Sequence, residues 1–506
     1  MPTRLPLDRL TVPVRKLSAR PGERALARHQ AALLLLPVSP ATIDWSALPH
    51  AQPLRALIEA KPRKGGDLVT LRVGERAQTL LVAAIVDATM GAFELLQFVG
   101  KAAQAALQER PRTVLVWELG LEAARAGEAL CAAMAALQAG AFELPQFKSR
   151  PAPPRLMRIE LAAKTRPKDL ERTLAGAAGN NIARWLTSLP PNRLDAAGYR
   201  RCLEDFARLS GMHLSFYGER RLRRLGAGAF LAVARGNAAR DAGIARLSYR
   251  PPGARRAGAP DLCLVGKGIC FDTGGTNLKA HSGMLEMHTD MQGSAVALGC
   301  LHALSTLRSP LAVDGWLAIT ENRIGPTAYQ PQDIVRAHNG TTIQVIHTDA
   351  EGRMVLADTL SLAAATRPRA IIDYATLTGA CVRALTERYS GAFTNRLRTR
   401  EIIEAAGASS GERVWCFPMD ADFDTDLDSK VADIMQCAVD GKGDHILAAR
   451  FLSRFVPPQV PWLHLDLAAG MRRGGLGHIG TDITGFGVRF TLELLARDWP
   501  AAARRA

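Results

Sequence analysis

The chain has 506 residues, of which 47% are hydrophobic and 22% are charged, a globular composition at a length that favours two or more domains. No apolar run approaches the roughly 18 residues of a membrane-spanning helix, and the first residues lack the apolar core of a signal peptide, so we expect no membrane partner. The net charge of +16 could attract nucleic acid, but no recognised nucleic-acid motif or basic–aromatic interleaving accompanies it, so nucleic acid is a possible partner that is not favoured.

Short apolar runs in the first part of the chain predict strands, and Ala- and Leu-rich stretches between or after them predict helices. The predicted strands are residues 31–38, 67–73, 79–86 and 112–117, and the predicted helices are residues 91–109 and 120–138. A proline-rich hinge at residues 149–155 and a strand at 156–161 follow. They place a domain boundary near residue 165.

The second part of the chain again alternates between predicted strands and helices. A helix is predicted at 168–189 and another at 291–304, with strands at 229–234, 261–265, 312–319, 341–346, 369–374 and 462–467. This alternation is typical of α/β folds. We therefore expect two α/β domains, a smaller N-terminal one over residues 1–165 and a larger C-terminal one over residues 166–506 with a central mixed sheet.

Charged side chains crowd into the stretch HTDAEGRMVLADTL, residues 347–360. Asp349 and Glu351 are two residues apart, so on an extended segment both carboxylates would face the same way. Their repulsion would be severe unless a cation lay between them, and carboxylate oxygens are the ligands that hard divalent ions prefer. The alternative is a pair of exposed loop acids, each in an ion pair with Arg353 or a lysine.

A second polar loop follows another predicted strand, in the stretch DLCLVGKGICFDTGGTNLKAHSGMLEMHTD. It carries Lys267, Asp272, Lys279 and Asp290. Ligands of open α/β sheets bind beyond the carboxyl ends of strands, which is where both polar stretches would lie. Capping of a helix is the alternative role for Asp290. Together the two loops favour a metal site.

These stretches resemble the signatures of the leucyl (cytosol) aminopeptidases, a family of two-metal exopeptidases. The resemblance lies in VGKGICFDTGG with the following LK, in MHTDMQGSA, and in TDAEGRMVLADTL. It continues through DYATLTGA, ERYSG and TGFGVR, and it begins at NIARWLTSLPPN, so it covers about residues 175–490. The first 165 residues carry no motif that matches.

The resemblance implies two divalent metal ions per subunit, Mn²⁺ or Zn²⁺ and also Mg²⁺ in the family. Lys267, Asp272, Asp290 and Glu351 would hold one ion. Asp272, Asp349 and Glu351 would hold the other, so Asp272 and Glu351 would bridge the pair. Such a pair activates a water molecule near neutral pH.

The resemblance also implies roles for residues that do not hold metal. Lys279 would stabilise the oxyanion formed at the scissile carbonyl, and Arg353 would hold a bicarbonate that moves a proton to the leaving amine. The pocket for the first side chain would be lined by Met287, Thr376, Gly379 and Ala468. Two histidines depart from the family pattern, His288 where Lys or Arg is usual and His347 where Asn is usual.

The implied function is a metal-dependent aminopeptidase of the catalytic C-terminal domain that releases N-terminal residues, Leu, Met and similar ones preferred, from peptides. The resemblance further implies a homohexamer, and the eight cysteines, which form no CxxC pair, favour free thiols and a cytoplasmic location. Two alternatives remain. One is a DNA-binding regulator on the same fold, and the other is a different two-metal hydrolase acting on phosphate esters.

Overall fold

The structure is a computed structural model of the chain, and it describes residues 4–74, 79–150, 156–162, 166–253 and 258–505. Most of the predicted hinge at 149–155 lies outside the described residues, and so does residue 165, where the domain boundary was predicted. The boundary near residue 165 therefore stays a proposal.

The first part of the chain forms a six-stranded sheet in the order β1-β6-β5-β2-β4-β3, with only β3 antiparallel to its neighbour. Its strands are β1 (Val14–Lys16), β2 (Ala31–Pro37), β3 (Leu68–Val73), β4 (Thr79–Val86), β5 (Thr113–Glu118) and β6 (Arg158–Ala162). Its helices are α1 (Glu23–Leu26), α2 (Ala51–Glu59), α3 (Ala92–Leu107) and α4 (Ala123–Ala141). The central strand β2 is buried on both faces, because α3 and α4 cover one face of the sheet and α2 covers the other.

The second part of the chain forms a mixed eight-stranded sheet in the order β15-β14-β17-β13-β9-β10-β8-β7. Its strands are β7 (His213–Gly218), β8 (Gly243–Tyr249), β9 (Leu262–Asp272), β10 (Val313–Asn322), β13 (Ala370–Ala375), β14 (Ser390–Thr394), β15 (Val414–Cys416) and β17 (Trp462–Asp466). A small sheet pairs β11 (Ile334–Arg336), β12 (Thr342–Gln344) and β16 (Ile434–Met435). The four central strands β17, β13, β9 and β10 run parallel, so their carboxyl ends meet at one edge.

Helices cover both faces of the large sheet. The described helices of this part of the chain are α5 (Pro167–Thr187), α6 (Ala196–Ser210), α7 (Glu219–Arg224), α8 (Gly228–Ala234), α9 (His281–Met284), α10 (Gln292–Thr306), α11 (Glu351–Ala364), α12 (Gly379–Leu385), α13 (Arg400–Ser410), α14 (Asp444–Ser453), α15 (Val488–Ala496) and α16 (Trp499–Arg505). One face packs against α5, α6, α10 and α15, and the other against α8, α11 and α14. Leu5 and Leu10 from the start of the chain join the first of these cores.

The expected α/β fold with a central mixed sheet is confirmed, and most predicted elements lie within a few residues of the observed ones. The predicted strand at 229–234 is wrong, because these residues belong to helix α8. A short buried apolar run fits either element, and its three alanines favour a helix. Among the described helices, none is long and apolar enough to cross a membrane.

Two glycines allow α5 and α10 to cross at close range on the large sheet. A Cβ added at Gly299 would collide with the backbone carbonyl of Gly179, and one added at Gly179 would collide with that of Gly299. Both obstacles are backbone atoms of packed helices, so neither can move aside cheaply. This close crossing fixes the position of α10 on the sheet. It therefore also fixes the positions of the residues at the start of α10.

We expect Gly299→Ala to lower the free energy of unfolding by about 1–3 kcal/mol or more, because the added methyl forces α5 and α10 apart. The matched control is Gly127→Ala in α4, where an added Cβ meets nothing within 4 Å. It should stabilise the protein by up to about 1 kcal/mol. Thermal unfolding of the two variants measures the difference, and equal midpoints would contradict the proposed crossing constraint.

Candidate metal centre

The predicted metal residues converge at the carboxyl-end edge of the central strands. Lys267 lies within β9 and Asp272 ends it, while Asp290 lies just before α10 and Glu351 is the first residue of α11. Asp272, Asp290 and Glu351 are buried, and each offers an oxygen within 4.8 Å of the others. The expectation of an extended segment at 349–351 is wrong, because Glu351 already belongs to a helix. The turn before that helix brings Asp349 to the same edge.

Lys267 lies between two of the buried carboxylates. Its Nζ is 2.9 Å from Asp290 Oδ2 and 2.8 Å from Glu351 Oε1, and it donates a hydrogen bond of 2.9 Å to the carbonyl oxygen of Thr376. A Cβ added at Gly352 would lie 2.7 Å from this Nζ. The glycine in the AEGR stretch is thus required for the close approach of α11 to the lysine.

Lys279 connects the other two carboxylates. Its Nζ is 2.9 Å from Asp272 Oδ2 and 2.5 Å from Asp349 Oδ1. The side chains of Asp349 and Lys279 are 27% and 17% exposed, whereas those of Lys267 and Glu351 are 4% and 2% exposed. The site therefore has a closed side at Lys267 and an open side at Asp349.

Asp272 is held in place by two residues that the sequence did not single out. Its Oδ1 accepts hydrogen bonds of 2.8 Å from the backbone N–H of Gly274 and 2.8 Å from the side-chain amide of Asn322. Asn322 also donates to the carbonyl of Thr348, at 3.0 Å. Asn322 is the last residue of β10 and pairs with Asp272 in the strand register. The sequence signal for this contact was a polar residue at the end of the strand next to β9.

The electrostatics of the protein alone are unfavourable for ionised carboxylates here. Burial, followed by repulsion from Glu351 and Asp272, raises the pKa of Asp290 to about 8 despite the opposing effect of Lys267. Burial and the charge of Asp272 raise the pKa of Glu351 to about 7 and that of Asp349 to about 6. A divalent cation would reverse these shifts, since it favours the ionised form of each ligand.

The residues present fit a divalent metal. Glu351 Oε2 is buried and has no hydrogen-bond partner among the described residues. A buried oxygen without a partner is available to bind a metal ion. Carboxylate oxygens suit Mg²⁺ and Mn²⁺, and Zn²⁺ accepts them together with a nitrogen such as the amine of Lys267. Burial lowers the pKa of this lysine, but the surrounding carboxylates raise it by more. A cation bound to those carboxylates would neutralise their charge, and the carboxylates would then no longer raise the pKa of Lys267.

Arg353 lies in the first turn of α11, two residues after Glu351, and has partners that sequence reasoning missed. Its Nη2 donates to both oxygens of Asp444, at 2.8 and 2.9 Å, and its Nη1 donates to the carbonyl of Gln436 at 3.2 Å. The side-chain amide of Gln436 also donates to the carbonyl of Ala350, 2.9 Å away. No motif connects Arg353 with a residue 91 positions further along the chain, so the sequence carried no signal for this pair.

Among the predicted pocket residues, Thr376 contacts the carboxylate cluster directly. Its hydroxyl donates a hydrogen bond of 2.7 Å to Asp290 Oδ1. Gly379 begins α12, which packs against the short turn Ala468–Gly470, and Met287 lies in the turn that precedes Asp290. A common pocket of Met287, Thr376, Gly379 and Ala468 stays a prediction.

The two unusual histidines lie beside the site. His347 Nδ1 accepts a hydrogen bond of 3.2 Å from the backbone N–H of Asp349. Burial, followed by the charge of Lys279, lowers the pKa of His347, and burial also lowers the pKa of His288. Both lowered values favour neutral imidazoles, so neither histidine adds a positive charge beside the cluster at neutral pH.

Comparison with known proteins matches residues 181–492 to a family model described as the cytosol aminopeptidase family, catalytic domain. A probable cytosol aminopeptidase of Methylorubrum extorquens is 41% identical over 330 residues, which are 64% of this chain and 64% of the relative. One of Chlorobium limicola is 36% identical over 346 residues, covering 67% of this chain and 68% of the relative. The alignment with the first relative thus spans less than two thirds of its length.

Solved structures extend the similarity to nearly the whole chain. A tomato leucine aminopeptidase mutant superposes with a TM-score of 0.82 at 27% identity, covering 96% of this chain and 96% of that chain. The bottromycin maturation enzyme BotP in complex with Mn superposes with a TM-score of 0.79 at 28% identity, covering 94% of this chain and 99% of that chain. The carboxylate cluster described above lies within the residues that the family model matches.

We expect Mn²⁺ to raise the thermal unfolding midpoint of the metal-stripped protein, because a ligand that binds only the folded state stabilises it by about 2.7 kcal/mol at 100 times its dissociation constant. Glu351→Gln should remove most of this stabilisation. The control is Glu321→Gln, since the Glu321 carboxylate pairs with Arg323 at 3.0 Å and lies outside the cluster. An equal response to Mn²⁺ in wild type and Glu351→Gln would contradict the assignment of the ligand.

Proposed function

The chain belongs to the cytosol aminopeptidase family, and from this membership we propose that it is a metal-dependent aminopeptidase that removes the first residue of peptides. The observation that supports this most is the buried cluster of Asp272, Asp290 and Glu351, bordered by Lys267 and Lys279, at the strand edge of the matched region. A cluster of this composition is suited to hydrolysis at a bound cation rather than to a purely structural role.

We propose that the residues hold metal as the family pattern implies. Lys267, Asp272, Asp290 and Glu351 would bind one divalent ion, and Asp272, Asp349 and Glu351 would bind a second. The ions would supply a nucleophilic water at neutral pH. Mn²⁺ is the ion in one solved relative, so we take it as the first ion to test.

The exposure of the site residues supports a direction of entry for the peptide. Lys279 and Asp349 are the more exposed members of the cluster, while Lys267 is almost fully buried. A peptide would therefore approach from the Lys279 side, with its scissile carbonyl oxygen close to the Lys279 ammonium. That ammonium would stabilise the negative charge which develops on the oxygen in the transition state.

The finer assignments follow from the family resemblance. We propose a preference for Leu, Met and similar first residues in a pocket formed by Met287, Thr376, Gly379 and Ala468, and we propose a homohexamer located in the cytoplasm. The family resemblance also implies a bicarbonate at Arg353, but Asp444 already accepts hydrogen bonds from the same guanidinium. The alternatives of a DNA-binding regulator and a phosphate-ester hydrolase would give no metal-dependent release of amino acids.

The primary test is hydrolysis of aminoacyl p-nitroanilides by the metal-stripped protein, with and without added Mn²⁺. Leucine p-nitroanilide should be cleaved only after metal is restored. Phosphate esters should not be cleaved in either state. Metal-independent cleavage, or cleavage of phosphate esters alone, would rule out the proposed activity.

A free N-terminal amine should be required for cleavage. We expect leucine release from Leu-Gly-Gly and none from acetyl-Leu-Gly-Gly, because acetylation removes the amine lone pair and adds bulk at the closed end of the site. Product analysis at saturating Mn²⁺ makes the comparison. Equal cleavage of both peptides, or cleavage of an internal bond, would identify an endopeptidase or another amidase.

Replacement of Lys279 should separate catalysis from metal binding. Lys279→Ala should lower kcat by roughly 100-fold or more, because its ammonium acts mainly in the transition state, while the metal content stays near that of the wild type. Lys442→Ala is the matched control, since the ammonium of Lys442 is exposed, lies outside the carboxylate cluster and pairs with Asp440 at 2.9 Å. Loss of metal in Lys279→Ala would instead make Lys279 part of the binding site.

A further inference from the structure

Arg353 is a buried cation beside the metal centre. It lies in the first turn of α11, two residues after Glu351, and its side chain is only 2% exposed. A buried guanidinium is strongly unfavourable unless an anion and hydrogen-bond acceptors surround it. The identity of that anion therefore decides what else can bind at this edge of the site.

The chain itself supplies the anion. Both carboxylate oxygens of Asp444 accept hydrogen bonds from Arg353 Nη2, at 2.8 and 2.9 Å, and the carbonyl of Gln436 accepts one from Nη1 at 3.2 Å. The Asp444 side chain is 25% exposed, so it lies between the buried guanidinium and solvent. Nε of Arg353 is buried and has no hydrogen-bond partner among the described residues.

Asp444 is held rigidly in this position. It is the first residue of α14, and it follows a turn in which Gly441 and Gly443 adopt φ values of +67° and +59°. Its neighbour His445 packs edge-on against Phe417 with ring centroids 4.5 Å apart. The next turn of the helix is buried, and α14 packs against α11. The carboxylate is therefore held at the start of a packed helix by its two hydrogen bonds from Arg353.

We propose that Asp444 is the resident anion of the Arg353 site, and that its carboxylate takes the place that a free bicarbonate would otherwise occupy beside the metal centre. Carboxylate and bicarbonate present the same pair of charged oxygens to a guanidinium, so one excludes the other from Nη2. The effect of Asp444 on catalysis rests on the proposed function, whereas its occupation of the Arg353 site does not. Asp444 acts through Arg353 and is a positioning residue, and the chain works without added bicarbonate.

The first experiment measures binding rather than activity. The Mn²⁺-loaded wild type, Asp444→Ala and Asp444→Ser are unfolded thermally in bicarbonate-free buffer and then over a series of bicarbonate concentrations. The two variants should have lower midpoints that rise with bicarbonate, because the anion fills the site that the carboxylate has left. The wild type should not respond. The control Asp440→Ala, which removes an acid of the same turn that pairs with Lys442, should behave as the wild type does.

The second experiment uses leucine p-nitroanilide. Without bicarbonate, Asp444→Ala and Asp444→Ser should lose about 10-fold to 100-fold in kcat, as is typical when a residue that orients a site is removed. Millimolar bicarbonate should restore the rate of both variants and leave the wild type unchanged. A purely structural role would not give this rescue, and Asp444→Ser keeps the test valid if Asp444→Ala fails to fold.

Two results would overturn the inference. One is a wild type whose midpoint or rate rises with bicarbonate as much as that of the variants, since the free anion would then bind despite Asp444. The other is variants that keep full activity and show no response to bicarbonate. If no form of the protein hydrolyses aminoacyl substrates, the proposed function fails, and the thermal titration still decides whether Asp444 fills the anion site.

Discussion

Burial of like charges at one edge of the large sheet is the constraint on which the rest of the site depends. Asp272, Asp290 and Glu351 lie within 4.8 Å of one another with little access to water. Carboxylates at this distance repel strongly in a medium of low polarity, and burial together with this repulsion raises the pKa values of Asp290 and Glu351. Lys267 and Lys279 offset part of that repulsion, and bound cations would offset the remainder. The cluster is thus arranged for metal rather than for the stability of the protein alone.

The architecture brings these charges together from both faces of the sheet. Asp290 precedes α10, which packs on one face, and Glu351 begins α11, which packs on the other. The N-terminal end of a helix carries a partial positive charge, so each helix lowers the energy of the carboxylate at its own start. Two glycines permit the close packing, since Gly293 lies against the backbone of β13 and Gly352 against Lys267. The positions of the clustered carboxylates therefore follow from helix packing as much as from the loops.

The sequence predicted the parts of this arrangement that depend on local pattern. Apolar runs located the central strands, and the two charged stretches that follow strands located the clustered carboxylates. The metal-binding role of each residue came from the family resemblance. Local pattern could not decide between strand and helix for the short run in α8, and it placed Glu351 on an extended segment instead of a helix. It also could not reveal the Asn322 contact with Asp272 or the Arg353–Asp444 pair, which form only when distant elements pack.

Helix α11 shows why the site can be both charged and rigid. Every residue of this helix is buried, including Glu351, Arg353 and Asp358. Each charge has partners from a different part of the fold: Lys267 for Glu351, Asp444 for Arg353, and the backbone N–H groups of Phe230 and His338 for Asp358. Rotation or translation of the helix would break all three sets of contacts at once, and each lost partner would leave a buried charge unpaired. The helix is therefore fixed against β9, α8 and α14, and the Glu351 carboxylate at its start is preorganised.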